Sequence, residues 1–575
     1  MSILKKRITK ISFCLLLSIF FLSLINFNTY FAGHDGLFHI NRLEGIVNAF
    51  KDGQILTKIY PNTNNGYGYA VSLFYCDLFL YPFALIYKLG VPLVTSYVIM
   101  IIFYSSLSIF AMMWASSKIF EKNTLAPYLA TLFFAFCNYR IGDIYVRNAL
   151  GETLALCFAP FAFYAMYKIF IKKENSWVCL GISFGGIALC HNITLLIYGL
   201  YYVGFYILFV ILSKNKKDIL NVSLVSLKGA GLAILLSLFY LLPLLEQITS
   251  SEFMCTKYYI DQYDLASTQK TIIEIFSPEF IKNLNAYVPN LGTILTCTPF
   301  FYLISSKKNK YITTLVLVFV LTIMYLGGFL PWLYRLRFLN IMQFSWRLFI
   351  FITPLASLLL AYSLININKK LMFGVMLVWL ITTCYSQYTL QQYLNSSESD
   401  HCTKVPYHLS HYDMFNSSQL DETYNYNFLE MFAAEYLPPT EQYDYLREST
   451  HIKRIENNTY NEVTIDKEKK EFLPYKKDGT NISFDYETNG NELLMVPLTY
   501  YKGYNAYYSD GNKKQKIELE IVDKYKQVSF RSLPGNNHYE VHYEGTFIQH
   551  ISLLVSSLTI IMLFIYCFIK KKNYK

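Results

Sequence analysis

The chain has 575 residues, of which 54% are hydrophobic, 18% aromatic and only 16% charged, with a mean hydropathy of +0.28. No soluble globular chain of that length needs so much apolar surface, and several stretches approach the roughly 20 apolar residues that cross a bilayer. The net charge of +10 invites a nucleic-acid partner, but the lysines lie in short loops between apolar runs, which is a topology signal, so no nucleic-acid partner is expected.

A basic start, Met1 to Lys10, precedes the apolar run 11–27. No small-residue cleavage site follows, so this reads as a retained first helix and not as a signal peptide. About twelve spans are predicted, at 11–27, 92–115, 125–138, 150–171, 177–190, 193–212, 222–245, 291–304, 311–329, 348–365, 371–389 and 547–568. Lys5, Lys6, Arg7 and Lys10, then Lys118 and Lys122, Lys172 and Lys173, Lys214, Lys216 and Lys217, Lys307, Lys308 and Lys310, Lys369 and Lys370, and Lys570 to Lys572 all fall on one side of this scheme. The excess of lysine and arginine makes that side the cytoplasm and puts both termini there. The loops 28–91, 139–149, 191–192, 246–290, 330–347 and 390–546 then face outward. Residues 69–89 are apolar enough to span, but counting them would scatter the lysine loops over both sides, so an interfacial or re-entrant helix pair is predicted.

The expected organisation is a polytopic α-helical membrane domain over 1–390, with a first outer loop at 28–91, followed by an extracytoplasmic β-rich domain over 391–546. A last span and a basic cytoplasmic tail occupy 547–575. Within the outer domain, 515–521, 527–530 and 539–543 alternate as strands do, with turn signals at Gly511-Asn512 and Pro534-Gly535-Asn536-Asn537. The eleven cysteines show no CxxC pair, and His401, His408 and His411 suit no firm metal motif, so neither a disulfide framework nor a zinc site is expected. No P-loop, GxGxxG after a strand, GxSxG or HExxH is present, which argues against a nucleotide-driven pump and the commoner soluble hydrolases.

Four sets of polar residues fall on the outer side. The first is Gly33-His34-Asp35-Gly36-Leu37-Phe38-His39-Ile40-Asn41-Arg42. Ionised groups beside hydrocarbon cost about 2.5–3.5 kcal/mol each at a helix centre, so Asp35 and its neighbours read as chemistry. Ile40, Leu43, Val47 and Phe50 recur at helical spacing from Gly36 to Lys51, which predicts an amphipathic helix in the interface, with Asp35, His39 and Arg42 on one side. Asp35 as an N-cap before a solvated face is the plain alternative. The second set runs from Tyr139 to Glu152, where Arg140, Asp143 and Arg147 share a helical face suited to a phosphate, or to an Arg–Asp pair that only pins the loop. Glu152 opens the next helix, where it favours the N-terminal dipole. The third, His191-Asn192 before Thr194, reads equally as a hydrogen-bonded helix turn. The fourth is Met342-Gln343-Phe344-Ser345-Trp346-Arg347, which offers donors for a lipid phosphate or a sugar ring, or else interface anchors.

These runs, in this order, resemble bacterial multispan membrane proteins of the GT-C glycosyltransferase superfamily, close to the YfhO-like proteins. The resemblance rests on Gly-His-Asp-x-x-x-His-x-x-Arg at 33–42, Asn-Gly-Tyr-Gly-Tyr at 65–69 with Phe74-Tyr75, Tyr139 to Glu152, His191-Asn192-Ile193-Thr194 and Gln343 to Arg347. Tyr500-Tyr501-Lys502-Gly503-Tyr504, strands and a final span complete it. The chain is also similar to membrane proteins labelled 6-pyruvoyl-tetrahydropterin synthase-related, a label that implies no pterin chemistry here. The resemblance implies transfer of a sugar from a polyprenyl-phosphate donor to an envelope glycan or protein outside a bacterial plasma membrane. It makes Asp35 the essential acid of the first outer loop, a general base or a ligand of acceptor or metal, with His34 and His39 where relatives often carry a paired acid. It places Arg42, Tyr67, Tyr69, Tyr75, Arg140, Asp143, Arg147, Glu152, His191, Asn192, Gln343, Trp346 and Arg347 in the substrate-binding set. A divalent metal is left open as cofactor. A lipid or polysaccharide transporter is the main rival, and a glycan-binding envelope scaffold the other.

Overall fold

The computed structural model describes residues 3–22, 29–64, 66–257, 264–282, 286–395, 403–407, 463–465, 471–510, 513–521 and 526–573. The chain divides into two compact units. The first comprises Met1–His39, Val94–Ser237 and Ile260–Leu409, and the second comprises Ile40–Leu93, Leu238–Tyr259 and Ser410–Lys575.

The helices up to residue 250 are α1 (Ile3–Leu22), α2 (Gly36–Lys51), α3 (Val71–Phe74), α4 (Tyr81–Lys88), α5 (Leu93–Ile119), α6 (Ala126–Ala135), α7 (Asn138–Gly142), α8 (Leu150–Met166), α9 (Trp177–Cys190), α10 (Asn192–Leu212) and α11 (Lys216–Ser250). A π-helical turn, Asp143–Arg147, follows α7, and a second, Tyr167–Ile171, extends α8. Further on lie the long helices Lys310–Leu326, Phe349–Leu364, Lys369–Asn395 and Phe547–Asn573.

Seven helices among the described residues are long and apolar enough to cross a membrane, and Ala126–Ala135, Trp177–Cys190 and Lys310–Leu326 are shorter apolar ones. The expected twelve full spans are therefore not all present as such. The predicted span 291–304 is split into Thr293–Thr296 and Thr298–Ile304, because Pro299 can start a helix but cannot continue one. The segment 69–89 forms the two short helices α3 and α4 with a break between them.

In the first unit, α8 packs along α9, and Phe349–Leu364 packs against α6 and α8. The close approach of α9 rests on its glycines: a Cβ on Gly181 would lie 2.6 Å from Leu232, and one on Gly186 would lie 2.3 Å from Phe158. Strand β1 (Thr29–Ala32) pairs antiparallel with a strand at Thr403–Pro406, Tyr30 opposite Val405.

The second unit holds the β structure. One antiparallel sheet has five strands, in which Gly535–Tyr543 lies between Asn481–Thr488 and Tyr504–Ser509. The other has four, with Leu493–Thr499 between Gln527–Arg531 and Val463–Ile465. Their alternating inward residues, Phe484, Tyr539 and Val541 from one and Leu494, Val496 and Phe530 from the other, share a core with Ile59, Phe74 and Phe253. Two expectations change here. The run 515–521 is strand only at Lys514–Ile517, with an isolated bridge from Leu519 to Phe530. Gly535, Asn536 and Asn537 are not a turn but the start of the longest strand, paired with Thr488, Glu487 and Tyr486. Gly511-Asn512 and the histidines 401, 408 and 411 lie outside the described residues.

Helix α2 has the bounds that its apolar spacing predicts, yet it is not an amphipathic helix with a wet face. Ile40, Leu43 and Val47 are buried, and so are His39, Asn41, Arg42 and Glu44. Burial of Arg42 is compensated inside the second unit. Its Nη2 lies 2.7 Å from Asp77 Oδ1 and donates to the Cys76 carbonyl at 3.0 Å, and its guanidinium covers the Tyr75 ring at 4.1 Å. Asp77 also accepts from the Tyr60 hydroxyl at 2.8 Å and from Ser72.

Candidate functional site

Asp35 is held by backbone contacts made before its side chain is considered. The amide of His34 donates to the Val146 carbonyl at 3.2 Å, and that of Asp35 donates to the Arg147 carbonyl at 2.8 Å. Two glycines allow this approach: a Cβ on Gly33 would sit 1.9 Å from the Val146 oxygen, and one on Gly36 would sit 2.7 Å from Asn148 Oδ1. Asn148 closes the π turn in the left-handed region at φ 54°, which its short polar side chain tolerates. Its Nδ2 donates to the Ile144 carbonyl at 3.1 Å, and its Oδ1 accepts from the Tyr30 hydroxyl. The loop that carries Asp35 is thereby fixed to the segment that carries Arg147.

Arg147 is the centre of the site. Its Nη1 lies 2.6 Å from Asp143 Oδ1 and 3.0 Å from Glu152 Oε1, and its guanidinium sits 4.6 Å over the Trp346 ring. Arg347 approaches the same Glu152 oxygen with Nε at 3.3 Å, while its Nη1 donates to the Met342 carbonyl at 3.1 Å and to Gln343 Oε1. Gln343 takes φ 64°, which turns the chain so that its side chain meets Arg347 four residues on. Glu152 also accepts from the Tyr139 hydroxyl. His191 stands at the N-cap of α10, and its Nδ1 shares a hydrogen bond with Thr194 Oγ1 at 2.8 Å.

Two features give the cluster chemical capacity. Among the described residues, the Asp35 carboxyl makes no side-chain hydrogen bond or ion pair, although it feels the charges of Arg147, Arg347 and Glu152. Burial raises its pKa, and the two guanidiniums oppose that rise. The guanidiniums are also only partly used. Both of Arg147's ion pairs come from Nη1, and Arg347 Nε is buried without a properly directed acceptor. Burial first, and then Glu152, push the Asp143 pKa well above the carboxylate range against the pull of Arg147. Burial, with Arg347 and Arg147 adding to it, holds His191 down to about 3 against the pull of Glu152, so it is neutral at ordinary pH.

Not every expected residue joins this cluster. Arg140 is buried elsewhere in the first unit: it donates to the Ala135 carbonyl at 2.9 Å, the Ser105 carbonyl at 2.8 Å and Ser108 Oγ at 2.9 Å. Those bonds tie α5 to α7 and leave it a structural cation. His39 is buried in α2, and Asn192 begins α10 beside His191. Arg42, Tyr67, Tyr69 and Tyr75 belong to the second unit, where Tyr69 exchanges backbone hydrogen bonds with Tyr60 and Arg42 is matched to Asp77. Two tyrosines given no role from the sequence belong with the cluster: Tyr139, which opens the second polar set, and Tyr287, which is not singled out there. Tyr139 reaches Glu152, and the Tyr287 ring lies 6.2 Å from Trp346 and 6.4 Å from His34, with its buried hydroxyl unpaired. Gly142 makes room for it, since a Cβ there would stand 2.5 Å from Tyr287. Tyr287 lies in the short strand Ala286–Tyr287, opposite Ile281, and no motif around it in the sequence signals its place.

As a metal site the residues fit poorly. Among the described residues no three His, Cys, Asp or Glu side chains converge on one point, and Asp143 and Glu152 already hold Arg147.

Helices α8, α10 and Phe349–Leu364 all begin at or beside this cluster, at Glu152, His191 and Arg347. They end toward the lysines at 172–173, 214 and 369–370. Twenty residues at about 1.5 Å each make about 30 Å, one hydrocarbon thickness.

Among curated proteins, an uncharacterized protein of Lactococcus lactis subsp. cremoris (strain MG1363) is 32% identical over 230 residues, which is 38% of this chain and 37% of that one. Among solved structures, the arabinofuranosyltransferase AftD from mycobacteria and a mutant of it are each similar at 13% identity and a TM-score of 0.43. The matches cover 69% and 68% of this chain, but only 27% and 28% of those. The chain therefore spans little more than a third of the curated relative and about a quarter of AftD. The model of DUF6541, a family of unknown function, matches residues 9–370, and the chain belongs to that family.

Proposed function

We propose that the protein is a membrane glycosyltransferase of the GT-C type, which moves a sugar from a polyprenyl-phosphate donor to a hydroxyl of an envelope glycan or protein outside the cell. The observation that carries this reading is the Asp35 carboxyl, without a side-chain partner among the described residues, in the field of the two buried guanidiniums of Arg147 and Arg347. The resemblance of the motifs at 33–42, 139–152 and 343–347 points the same way.

The chemistry follows from those groups. Asp35 takes the proton of the acceptor hydroxyl as its oxygen bonds to the anomeric carbon. The bond from that carbon to the phosphate oxygen breaks, and its electron pair leaves on the polyprenyl phosphate. A base whose pKa is raised by burial accepts the proton more readily than an ordinary aspartate. The guanidiniums of Arg147 and Arg347 meet the charge that grows on the departing phosphate, where preorganised cations contribute most. The Trp346 ring, stacked on Phe344 and covered by Arg147, holds the guanidinium in place. His191 is neutral and serves as a hydrogen-bonding group. The cluster lies at the ends of α8, α10 and Phe349–Leu364 away from the lysines, as an outward-facing site requires under the charge rule.

The test is Asp35→Asn, with protein level and thermal unfolding checked. Loss of a general base predicts a fall of about 10²–10⁴ in transfer, read as envelope glycan modification, with the fold kept. A variant that remains folded and modifies the envelope normally would remove Asp35 from catalysis and favour a transporter.

A further inference from the structure

A large cavity opens in the first unit at the lysine-bearing ends of α8, α10 and Phe349–Leu364, with a volume of about 1180 Å³. That exceeds the roughly 300–1,000 Å³ of an ordinary small-molecule pocket. Its walls are apolar, with Phe163 from α8, Phe205 and Leu208 from α10, and Leu355 and Leu359 from Phe349–Leu364. It shares no lining residue with the acid–arginine cluster.

The mouth has the opposite character. Lys172, Lys173, Lys214 and Lys310 line it, with Asp218 as the acid among them. Asp218 is occupied by Lys173. Among the described residues, Lys172, Lys214 and Lys310 have no acidic partner. Lys172 rests 5.6 Å over the Tyr167 ring and Lys310 rests 5.0 Å over the Tyr311 ring, contacts that leave the ammonium charge unneutralised. Two helices also begin at this rim. Helix α11 starts at Lys216, and Lys310–Leu326 starts behind an Asn309 cap, so their partial positive ends add to the field. Three unmatched cations over an apolar chamber complement a molecule with an anionic head and hydrocarbon chains.

We propose that this cavity binds a diacyl phospholipid with an anionic headgroup, its chains among the aromatic and leucine walls and its phosphate between Lys172, Lys214 and Lys310. The reacting donor is a less suitable occupant. The mouth that would hold the headgroup lies at the far ends of the helices that carry the acid–arginine cluster, about 30 Å along them. The lipid present in quantity at that surface is the bilayer's own.

The experiment uses the full chain in mild detergent, titrated with phosphatidylglycerol, phosphatidylcholine of the same acyl chains, or polyprenyl phosphate, and bound lipid is read by native mass spectrometry. Phosphatidylglycerol should be retained in preference to the other two. The combined variant Lys172→Ala, Lys214→Ala, Lys310→Ala should weaken that retention by about fivefold per lysine removed, and leave phosphatidylcholine unaffected. Leu208→Trp, which fills the chamber and spares the rim, should lower retention of both phospholipids. Equal retention of the two phospholipids by the unaltered protein would overturn the proposal, as would a lysine variant that keeps its phosphatidylglycerol. Preferential retention of polyprenyl phosphate would overturn it as well, and assign the cavity to a donor lipid. None of these outcomes depends on transferase activity, so the proposal stands or falls apart from the function assigned to Asp35.

Discussion

Arg147 gives the sharpest test of the site, because two substitutions separate its two tasks. Through Nη1 it pairs with Asp143 at 2.6 Å and Glu152 at 3.0 Å, and its second proposed task is to bind the donor's phosphate. Arg147→Ala leaves Asp143 buried without its cation and leaves Glu152 only the longer contact with Arg347 Nε at 3.3 Å. Breaking a buried pair from one side costs about 3–5 kcal/mol, so this variant should unfold several degrees lower and accumulate poorly. Arg147→Lys keeps a cation for the carboxylates but loses the planar fork. Its stability should stay near that of the unaltered protein. Its affinity for polyprenyl phosphate should drop by the worth of one charge-assisted hydrogen bond, about 1.5–3 kcal/mol, or roughly 10- to 150-fold. Thermal unfolding and equilibrium binding of polyprenyl phosphate, measured on the same purified sample, read the two effects. The reasoning fails if the lysine variant binds polyprenyl phosphate as the unaltered protein does, or if the alanine variant melts with it.

Three further outcomes follow from the geometry. Burial raises the Asp35 pKa above 3.8, so its ionised form opposes folding, and stability is lost as pH rises through the folded-state pKa. Asp35→Asn should therefore melt above the unaltered protein at pH 7, with the gap closing as pH falls below 3.8, while the acid limb of the transfer rate disappears in the variant. Gly33→Ala puts a Cβ 1.9 Å from the Val146 oxygen, so the loop must lift from the π turn. A loss of about 1–3 kcal/mol and reduced transfer are expected, and an unchanged melting curve would mean that the loop is not docked there. Asp77→Asn strips the buried Arg42 of its counter-ion. It should destabilise the second unit by about 3–5 kcal/mol, seen as faster limited proteolysis within 40–93.

Charge alternation and apolar spacing were enough to recover the bounds of α2 and to gather Asp35, Asp143, Arg147, Glu152, His191 and Arg347 on one side of the predicted bilayer. Both signals act over many residues and survive local irregularity. Pairing did not follow from them. Arg140 was grouped with Arg147 by counting 3.6 residues per turn, but Asp143–Arg147 is a π turn. Its wider turn breaks that count, and Arg140 points instead to Ser105 and Ser108. Arg42 was grouped with Asp35 on the same logic, and nothing in its neighbourhood announces Asp77, thirty-five residues further on. The Gly535-Asn536-Asn537 run carries turn composition, yet the partner strand at 486–488 makes it sheet. Tertiary partners overrode local preference in each case.

The charge inventory of the cluster bears on how the proposed transfer would proceed. Three carboxylates, Asp35, Asp143 and Glu152, stand near two guanidiniums. Asp143 pairs with Arg147, Glu152 is shared between Arg147 and Arg347, and Asp35 feels both guanidiniums without pairing to either among the described residues. A phosphate arriving there adds negative charge beside these carboxylates, which costs the complex some affinity. In the proposed transfer Asp35 would gain the acceptor's proton and become neutral as charge gathers on the leaving phosphate. The field of the two arginines, until then shared with Asp35, would be released to the phosphate at the moment its charge is largest. The same carboxyl would thus remove the proton and, by losing its own charge, strengthen the stabilisation of the leaving group. This is differential binding of the transition state achieved by one residue. That role would account for an aspartate without a side-chain partner among the described residues, kept beside two arginines where a salt bridge would have served stability better.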